Sequence, residues 1–294
     1  MLRQHNQTRN VSEAASPWGR RSTNEGGDHF RVSGKLEPLI EGGRYPSRTG
    51  NVVAVTSLAL EARIALGAGV SVICNQGSQL VAALEATIER SASGIISFGI
   101  AGGLAPDLAA GDWIVGARVR TGQELFPTDR VWARRLLEAL PRAIHADIVG
   151  VDVPIASSFE KRRLHAQTGA AAVDSESHIV ARIAGAHRIP FAVCRAVIDA
   201  AHRDLPPAAM VGLHDDGTPD LVAILRSVAQ QPSQFPALMR TALDAYLARE
   251  ALRRGRRLLG AGLGFPYLSN PAVDVAVSGQ GGSVVSFPEI GLGA

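Results

Sequence analysis

Two carboxylates, each lying just beyond a short apolar run, are the residues best placed to do chemistry. Ala171–Val173 is apolar and runs into Asp174, Ser175 and Glu176. Phe191–Ile198 is apolar apart from Arg195 and closes on Asp199. Between the two runs, Ile179, Val180 and Ile183 recur at helical spacing until Pro190 stops the segment. The pattern predicts strand, helix, strand. In open α/β sheets ligands sit beyond the carboxyl ends of the strands, so Glu176 and Asp199 are expected at neighbouring strand ends. One acid of such a pair can donate a proton while the other holds the hydroxyls of a small polar molecule. Taken alone, the two acids read first as helix caps or loop acids on the surface.

The rest of the chain supplies the elements that must position them. Asn51–Thr56 is a continuous apolar run, as in a strand covered on both faces. Leu58–Leu66 continues as a helix carrying Glu61, Val70–Cys74 reads as a strand, and Ser78–Ser91 is an amphipathic helix with Leu80, Leu84 and Ile88 on one face. Ile95–Phe98 is a strand running into a loop, Gly99-Ile100-Ala101-Gly102-Gly103. Trp113–Val119 is a further strand, Asp129 caps a helix to Leu140, Ile144–Ile155 holds one or two strands, and Ser158 caps a helix to Gln167. After Pro206 and Pro207 come helices over Leu221–Ala229 and Pro236–Leu259, the second ending at Gly260. This alternation predicts an α/β domain of three layers, helices on both sides of a central sheet, over residues 49–262. Residues 1–48 show no period and read as disordered. Residues 263–294, rich in Gly, Ser and Pro, read as a flexible tail.

Composition narrows the function. A formal net charge of +3, with few aromatics among the arginines, does not call for a nucleic-acid partner. Lys35 and Lys161 are the chain's two lysines, which argues against covalent catalysis by lysine. Cys74 and Cys194 lie in apolar runs and read as buried thiols of a cytoplasmic protein, and no apolar run reaches the ~18 residues that span a bilayer. His202 lies near Asp199 and Asp204, but without a second ligand cluster it reads as a loop histidine, so no metal is expected. The glycine segment is not GxGxxG, and Pro106 leaves no room for a dinucleotide helix. Arg249, Arg253, Arg254, Arg256 and Arg257 crowd the end of the last helix. They read as complementing its dipole on a solvated face, with contact to an anionic membrane surface as the functional alternative.

Asp174-Ser175-Glu176-Ser177, followed after a helix by Arg195-Ala-Val-Ile-Asp199-Ala-Ala, resembles the nucleoside phosphorylase superfamily, whose members carry a Met-Glu pair and then an Arg-x-x-x-Asp segment. Within it the chain is most similar to the methylthioadenosine/S-adenosylhomocysteine nucleosidases, and among these to the hopanoid-associated phosphorylases, which remove adenine from adenosylhopane. The resemblance covers roughly Asn51 to Met210. Ser175 stands where the family usually has a Met that packs on the sugar. The glycine segment resembles the family's Gly-x-Ala-Gly-Gly, so Gly99, Ala101 and Gly102 are expected to line the nucleoside pocket. Ile100 stands where phosphorylases often place a hydroxyl for phosphate, and their Gly-Asp-Pro-x-Arg motif is absent, which keeps hydrolysis open beside phosphorolysis.

The resemblance implies a mixed sheet, a homo-oligomer, and no metal or organic cofactor. It assigns Asp199 to the purine N7, Glu176 to the ribose hydroxyls with Ser175 and Arg195 beside it, and Glu61 to activating water or orienting phosphate. Read from its own segment, Glu61 is a solvated helix acid paired with a nearby arginine. Adenosylhopane is the implied substrate, with methylthioadenosine or S-adenosylhomocysteine as the alternative. A non-catalytic nucleoside-binding module is the rival from another class. It would need neither Asp199 nor Glu61, and both are present.

Overall fold

The structure is a computed structural model that describes residues 50–89, 92–210 and 220–268. The expectation of disorder over residues 1–48 lies outside the described residues. The elements in chain order are β1 (Val52–Thr56), α1 (Ala59–Ala65), β2 (Val70–Cys74), α2 (Gly77–Ile88), β3 (Gly94–Gly103), β4 (Trp113–Thr121), β5 (Glu124–Pro127), α3 (Arg130–Ala139) and β6 (Ile144–Gly150). They continue with α4 (Ser158–Thr168), β7 (Ala172–Asp174), α5 (Ser177–Ala186), β8 (Phe191–Asp199), α6 (Pro207–Met210), α7 (Leu221–Gln230) and α8 (Phe235–Leu259).

The strands form one mixed sheet in the order β2-β1-β3-β7-β6-β4-β5, with β8 pairing to both β3 and β4. Strands β3, β7, β6, β4 and β8 thereby close into a ring of pairings. The period of two along β1 sends side chains to both faces. Val53 and Val55 join Leu80, Leu84, Val180 and Phe191 in one core. Val52 and Ala54 join Phe98, Trp113, Trp132 and Leu252 in the other. Helices α2 and α5 cover the first face, and α3 and α8 the second. That is the expected three-layer α/β architecture around a mixed sheet.

Four differences from the sequence reading have physical causes. First, β3 does not stop at Phe98. Its ladder with β8 continues to Gly102, and β7 takes over at Gly102 and Gly103, so the glycine segment is strand rather than loop. Second, β7 runs antiparallel to β3 while β8 runs parallel to it. Glu176 and Asp199 therefore do not follow neighbouring parallel ends; they reach the end of β3 from opposite directions. Third, β5 was not foreseen, being four residues at the exposed edge of the sheet. Fourth, the C-terminal tail does not begin at residue 263. Leu263 and Phe265 are buried, Trp132 Nε1 donates to the Leu263 carbonyl at 2.9 Å, and the Phe265 ring meets Trp132 edge-on at 4.8 Å. Residues 269–294 lie outside the described residues. Among the described residues, no helix is long and apolar enough to cross a membrane.

Candidate active site

The end of β3, Gly99 to Gly102, is the axis of the site. Helix α1 starts beside them and has no polar side chain at its N-cap, which is Leu58. Glu61, three residues on, reaches back instead. Its Oε2 accepts from the backbone amides of Ser57 and Leu58, both at 3.0 Å, and from the Ser57 hydroxyl at 3.3 Å. This is the acidic half of a capping box. The other oxygen, Oε1, accepts from the Ile100 amide at 2.7 Å. Glu61 is thus fixed across the helix start and β3, and it is 1% exposed, not a solvated acid. Burial pushes its carboxyl above the ordinary value, Arg195 pulls it back, and the charge of Glu176 adds to the rise.

Arg195 opposes Gly99 across the β3–β8 ladder and is fully buried. Its Nε lies 2.7 Å from Asp174 Oδ2, and its Nη2 donates to Glu176 Oε2 at 2.8 Å and Ser97 Oγ at 2.6 Å. Ser97 Oγ in turn lies 3.0 Å from Ser177 Oγ, whose hydroxyl donates to Asp174 Oδ2. Nη1 reaches the Ile100 carbonyl at 3.4 Å. Burial lowers the guanidinium's pKa, but Asp174, Glu176 and Glu61 outweigh it and hold the group charged. Three carboxylates therefore surround one cation. A side chain at Gly99 would not fit among them, because a Cβ there would lie 2.5 Å from Glu61 Oε1 and 2.8 Å from Arg195 Nη1. Arg195 is expected among the substrate-binding groups; its Nη1 and Nη2 donate to these internal partners, and its Nε is paired by charge with Asp174. The second oxygen of Glu176, Oε1, accepts from the half-buried Ser175 hydroxyl at 2.6 Å.

Asp199 ends β8 opposite Gly102 and is 3% exposed. Its Oδ2 accepts from the ammonium of Lys161 on α4, a residue with no exposed surface. Its Oδ1 faces Gly102, where a Cβ would stand 3.4 Å from it. Burial pushes the Asp199 carboxyl up; Lys161 pulls it down, Asp244 pushes it up, and Arg203 pulls it down. Arg203 and Asp244 pair with each other. The structure thus brings Glu61, Gly99, Ala101, Gly102, Ser175, Glu176, Arg195 and Asp199 to one end of β3. Lys161, Asp174, Ser97 and Ser177 are partners that the sequence reading did not assign. A lone lysine in a stretch otherwise served by arginine was the available signal for Lys161.

His202 is exposed, and Asp204 accepts from the Ser158 amide at 2.5 Å, supplying the cap expected of Ser158. Among the described residues no three His, Cys, Asp or Glu side chains group as metal ligands. Burial raises the Cys194 thiol far above its ordinary range, which leaves it a protonated packing residue.

A model of the Phosphorylase superfamily matches residues 49–227. The chain belongs to the phosphorylase superfamily. No curated protein matches it. Among solved structures it is similar to the 5′-methylthioadenosine/S-adenosylhomocysteine nucleosidase of Helicobacter pylori, with 11% identity and a TM-score of 0.52 over 74% of this chain and 98% of that one. It is also similar to the futalosine hydrolase of the same organism, with 12% identity and a TM-score of 0.51 over 74% and 98%. The 5′-methylthioadenosine/S-adenosylhomocysteine nucleosidase of S. pneumoniae gives 16% identity and a TM-score of 0.50 over 72% and 98%. At these identities the likeness establishes the superfamily fold, mixed sheet included.

Proposed function

We propose that this protein cleaves the N-glycosidic bond of an adenosine-type nucleoside by hydrolysis and releases adenine. The observation that carries the reading is the convergence of three buried acids on Gly99–Gly102: Glu61 on the Ile100 amide, Glu176 through Arg195, and Asp199 against Gly102. Such a reaction passes through an oxocarbenium-like sugar. Asp199, its carboxyl raised by burial, protonates or hydrogen-bonds N7 of the leaving purine. Glu176 accepts from the ribose hydroxyls, which displace the Ser175 hydroxyl from Oε1. Glu61, held by three amides, takes a proton from water. Gly99, Ala101 and Gly102 line the space between them.

Local charge favours water over phosphate as the acceptor. Glu61, Asp174 and Glu176 outnumber Arg195, so the end of β3 is net negative in a poorly solvated place. A cationic sugar is stabilised there, whereas a phosphate dianion is repelled. Adenine should appear in phosphate-free buffer with free sugar as the second product. Strict dependence on phosphate, with a sugar 1-phosphate formed, would overturn the hydrolytic reading.

The substrate proposed is adenosylhopane, an adenosine whose 5′ carbon carries a hopanoid. Support comes from the sequence motifs and from the surface. Arg63, Arg249, Arg253, Arg256 and Arg257 line a groove of about 520 Å³ with Leu60 and Ile64, a setting suited to an anionic lipid surface. The proposed setting is the cytoplasmic face of a membrane. Helices α7 and α8 expose the apolar side chains Leu221, Val222, Leu225, Met239 and Leu243, which a second copy of the chain could cover. Turnover of adenosylhopane against methylthioadenosine and S-adenosylhomocysteine tests the substrate, flotation with anionic and neutral vesicles tests the surface, and light scattering tests the oligomer.

A further inference from the structure

The chain meets nearly every need for a cation with arginine, yet one of its two lysines is fully buried at the site. Lys161 sits in the first turn of α4, whose amide start is tied down by Asp204. Its ammonium has three acceptors: Asp199 Oδ2, the Arg203 carbonyl at 3.1 Å and the Ala200 carbonyl at 3.5 Å. Burying an ammonium this completely is costly unless each proton finds an acceptor, and here the acceptors converge on the carboxylate expected to protonate the base.

We propose that Lys161 is a positioning residue for the departure of the purine: it clamps Asp199 by Oδ2, turns Oδ1 toward Gly102 and the base, and stabilises the carboxylate left when Asp199 gives up its proton. The inference rests on the reading of Asp199 as the leaving-group acid. The proton balance is simple. Neutral Asp199 carries the proton on Oδ1 and passes it to N7 as the glycosidic bond breaks, the bonding pair leaving with the purine. The carboxylate that results is met by the Lys161 ammonium, which takes no part in the transfer. While Asp199 is neutral, the Arg203 and Ala200 carbonyls keep the ammonium satisfied.

Burial by itself would make Asp199 a reluctant donor, because the anion it leaves behind is poorly solvated. A cation held against one oxygen corrects that. The other groups facing Asp199 are Asp244 on α8 and Arg203 in the loop after β8, which pair with each other; β3 brings Gly102 and Gly103, and Asp204 faces Lys161 rather than Asp199. Lys161 is therefore the cation that Asp199 has without a competing carboxylate in direct contact.

The test is the pH profile of K161M against parent and K161R. Activity needs Asp199 protonated, so the rate falls as pH rises through its pKa. Removing the ammonium raises that pKa, so the alkaline limb should move up by roughly a pH unit or more while the plateau drops about 10- to 100-fold. K161R, which keeps the charge, should return the limb toward the parent position. A nitrophenyl riboside, whose leaving group needs no proton, should be spared by K161M. A uniform loss on both substrates with no movement of the limb would overturn the proposal and leave Lys161 a packing residue.

A second measurement leaves Lys161 in place. With two lysines in the chain, carbon-13 labelling at Cε gives two side-chain signals. The one absent from the K161R spectrum is Lys161, and in D199N it should shift. No shift would also overturn the proposal. Near-parent turnover by D199N would instead sink the reading of Asp199, a result distinct from either failure of Lys161.

Discussion

Two clusters stand a few residues apart on β3 and solve opposite electrostatic problems. At Gly99–Ile100, Glu61, Asp174 and Glu176 surround a single guanidinium, so acid outnumbers base. At Gly102, Asp199 is matched by Lys161, and a second balanced pair, Arg203 with Asp244, stands behind it. Burial is the largest influence on both Glu61 and Asp199, and it raises both. The neighbours differ. Each has a cation pulling it down and a carboxylate pushing it up, Arg195 and Glu176 for Glu61, Lys161 and Asp244 for Asp199; but Arg195 is shared with Asp174 and Glu176, whereas Lys161 donates directly to Asp199. In the function proposed above, the first cluster would keep a base ready and welcome positive charge on a sugar, and the second would let a buried acid lose its proton. Such a separation of two carboxyl environments is what acid and base roles in one site require.

The comparison is broken most severely by D199N. The amide keeps the shape and can still donate a hydrogen bond, but it cannot give up a proton. Turnover of an adenine nucleoside should fall by ~10²–10⁴, with KM little changed and the melting transition still cooperative. The loss should be smaller on a nitrophenyl riboside. Near-parent turnover would remove the second cluster from the chemistry and dissolve the division of roles.

Much of this arrangement was legible in the sequence. The acids following apolar runs, the glycine segment and Glu61 near the start of a helix all converge at the candidate site, and the strands and helices that carry the acids have the expected type. Three things were hidden, each because it depends on pairing between distant segments. The directions of β7 and β8 are set by ladders to β3, which no local pattern reports. Asp174 looked like one member of an acidic cluster until Arg195, twenty-one positions on, was seen to use it. Lys161 lies on a helix whose polar sequence, Ser-Phe-Glu-Lys-Arg-Arg, reads as solvated, and its burial follows from the loop after β8 folding over it.

The second way to break the comparison is a methyl group at each glycine. In G99A the new Cβ would lie 2.5 Å from Glu61 Oε1 and 2.8 Å from Arg195 Nη1. Neither can swing aside, since Glu61 is held by three amides and Arg195 by Asp174, Glu176 and Ser97. The backbone φ of +155° also suits glycine. We expect a stability loss of about 1–3 kcal/mol and a fall in turnover near a hundredfold, an order-of-magnitude figure for a misplaced catalytic group. In G102A the Cβ meets Val173 Cγ1 at 3.3 Å and Asp199 Oδ1 at 3.4 Å, contacts that ease with shifts of a few tenths of an ångström. That variant should melt within about 1 kcal/mol of the parent. Equal damage from both would mean that the crowding at Gly99 is not what fixes the base. Thermal melts with single-turnover rates give the answer.

The smallest expected effect, and the one that sharpens the comparison most, is that of E176Q. Glu176 has two tasks in this reading: it accepts from the ribose hydroxyls, and its charge raises Glu61. Charge-assisted hydrogen bonds of this kind are worth ~1.5–3 kcal/mol each at most, so ribosides should lose about 10- to 100-fold in kcat/KM and their 2′-deoxy analogues less. The second task appears in the pH profile. Glu61 must be ionised to take a proton from water, so the rate falls as pH drops through its pKa. In the parent that acid limb should lie above the ordinary glutamate value of 4.5, because burial raises the carboxyl. Removing the charge of Glu176 takes away one of the influences that raise Glu61 and leaves Arg195 freer to lower it, so the limb should move to lower pH in E176Q. The alkaline limb belongs to Asp199, which has no contact with Glu176, and it should stay where it is. Movement of the acid limb alone would show that the two clusters titrate independently. Movement of both limbs together would show one coupled network and would end the assignment of base and acid to separate environments.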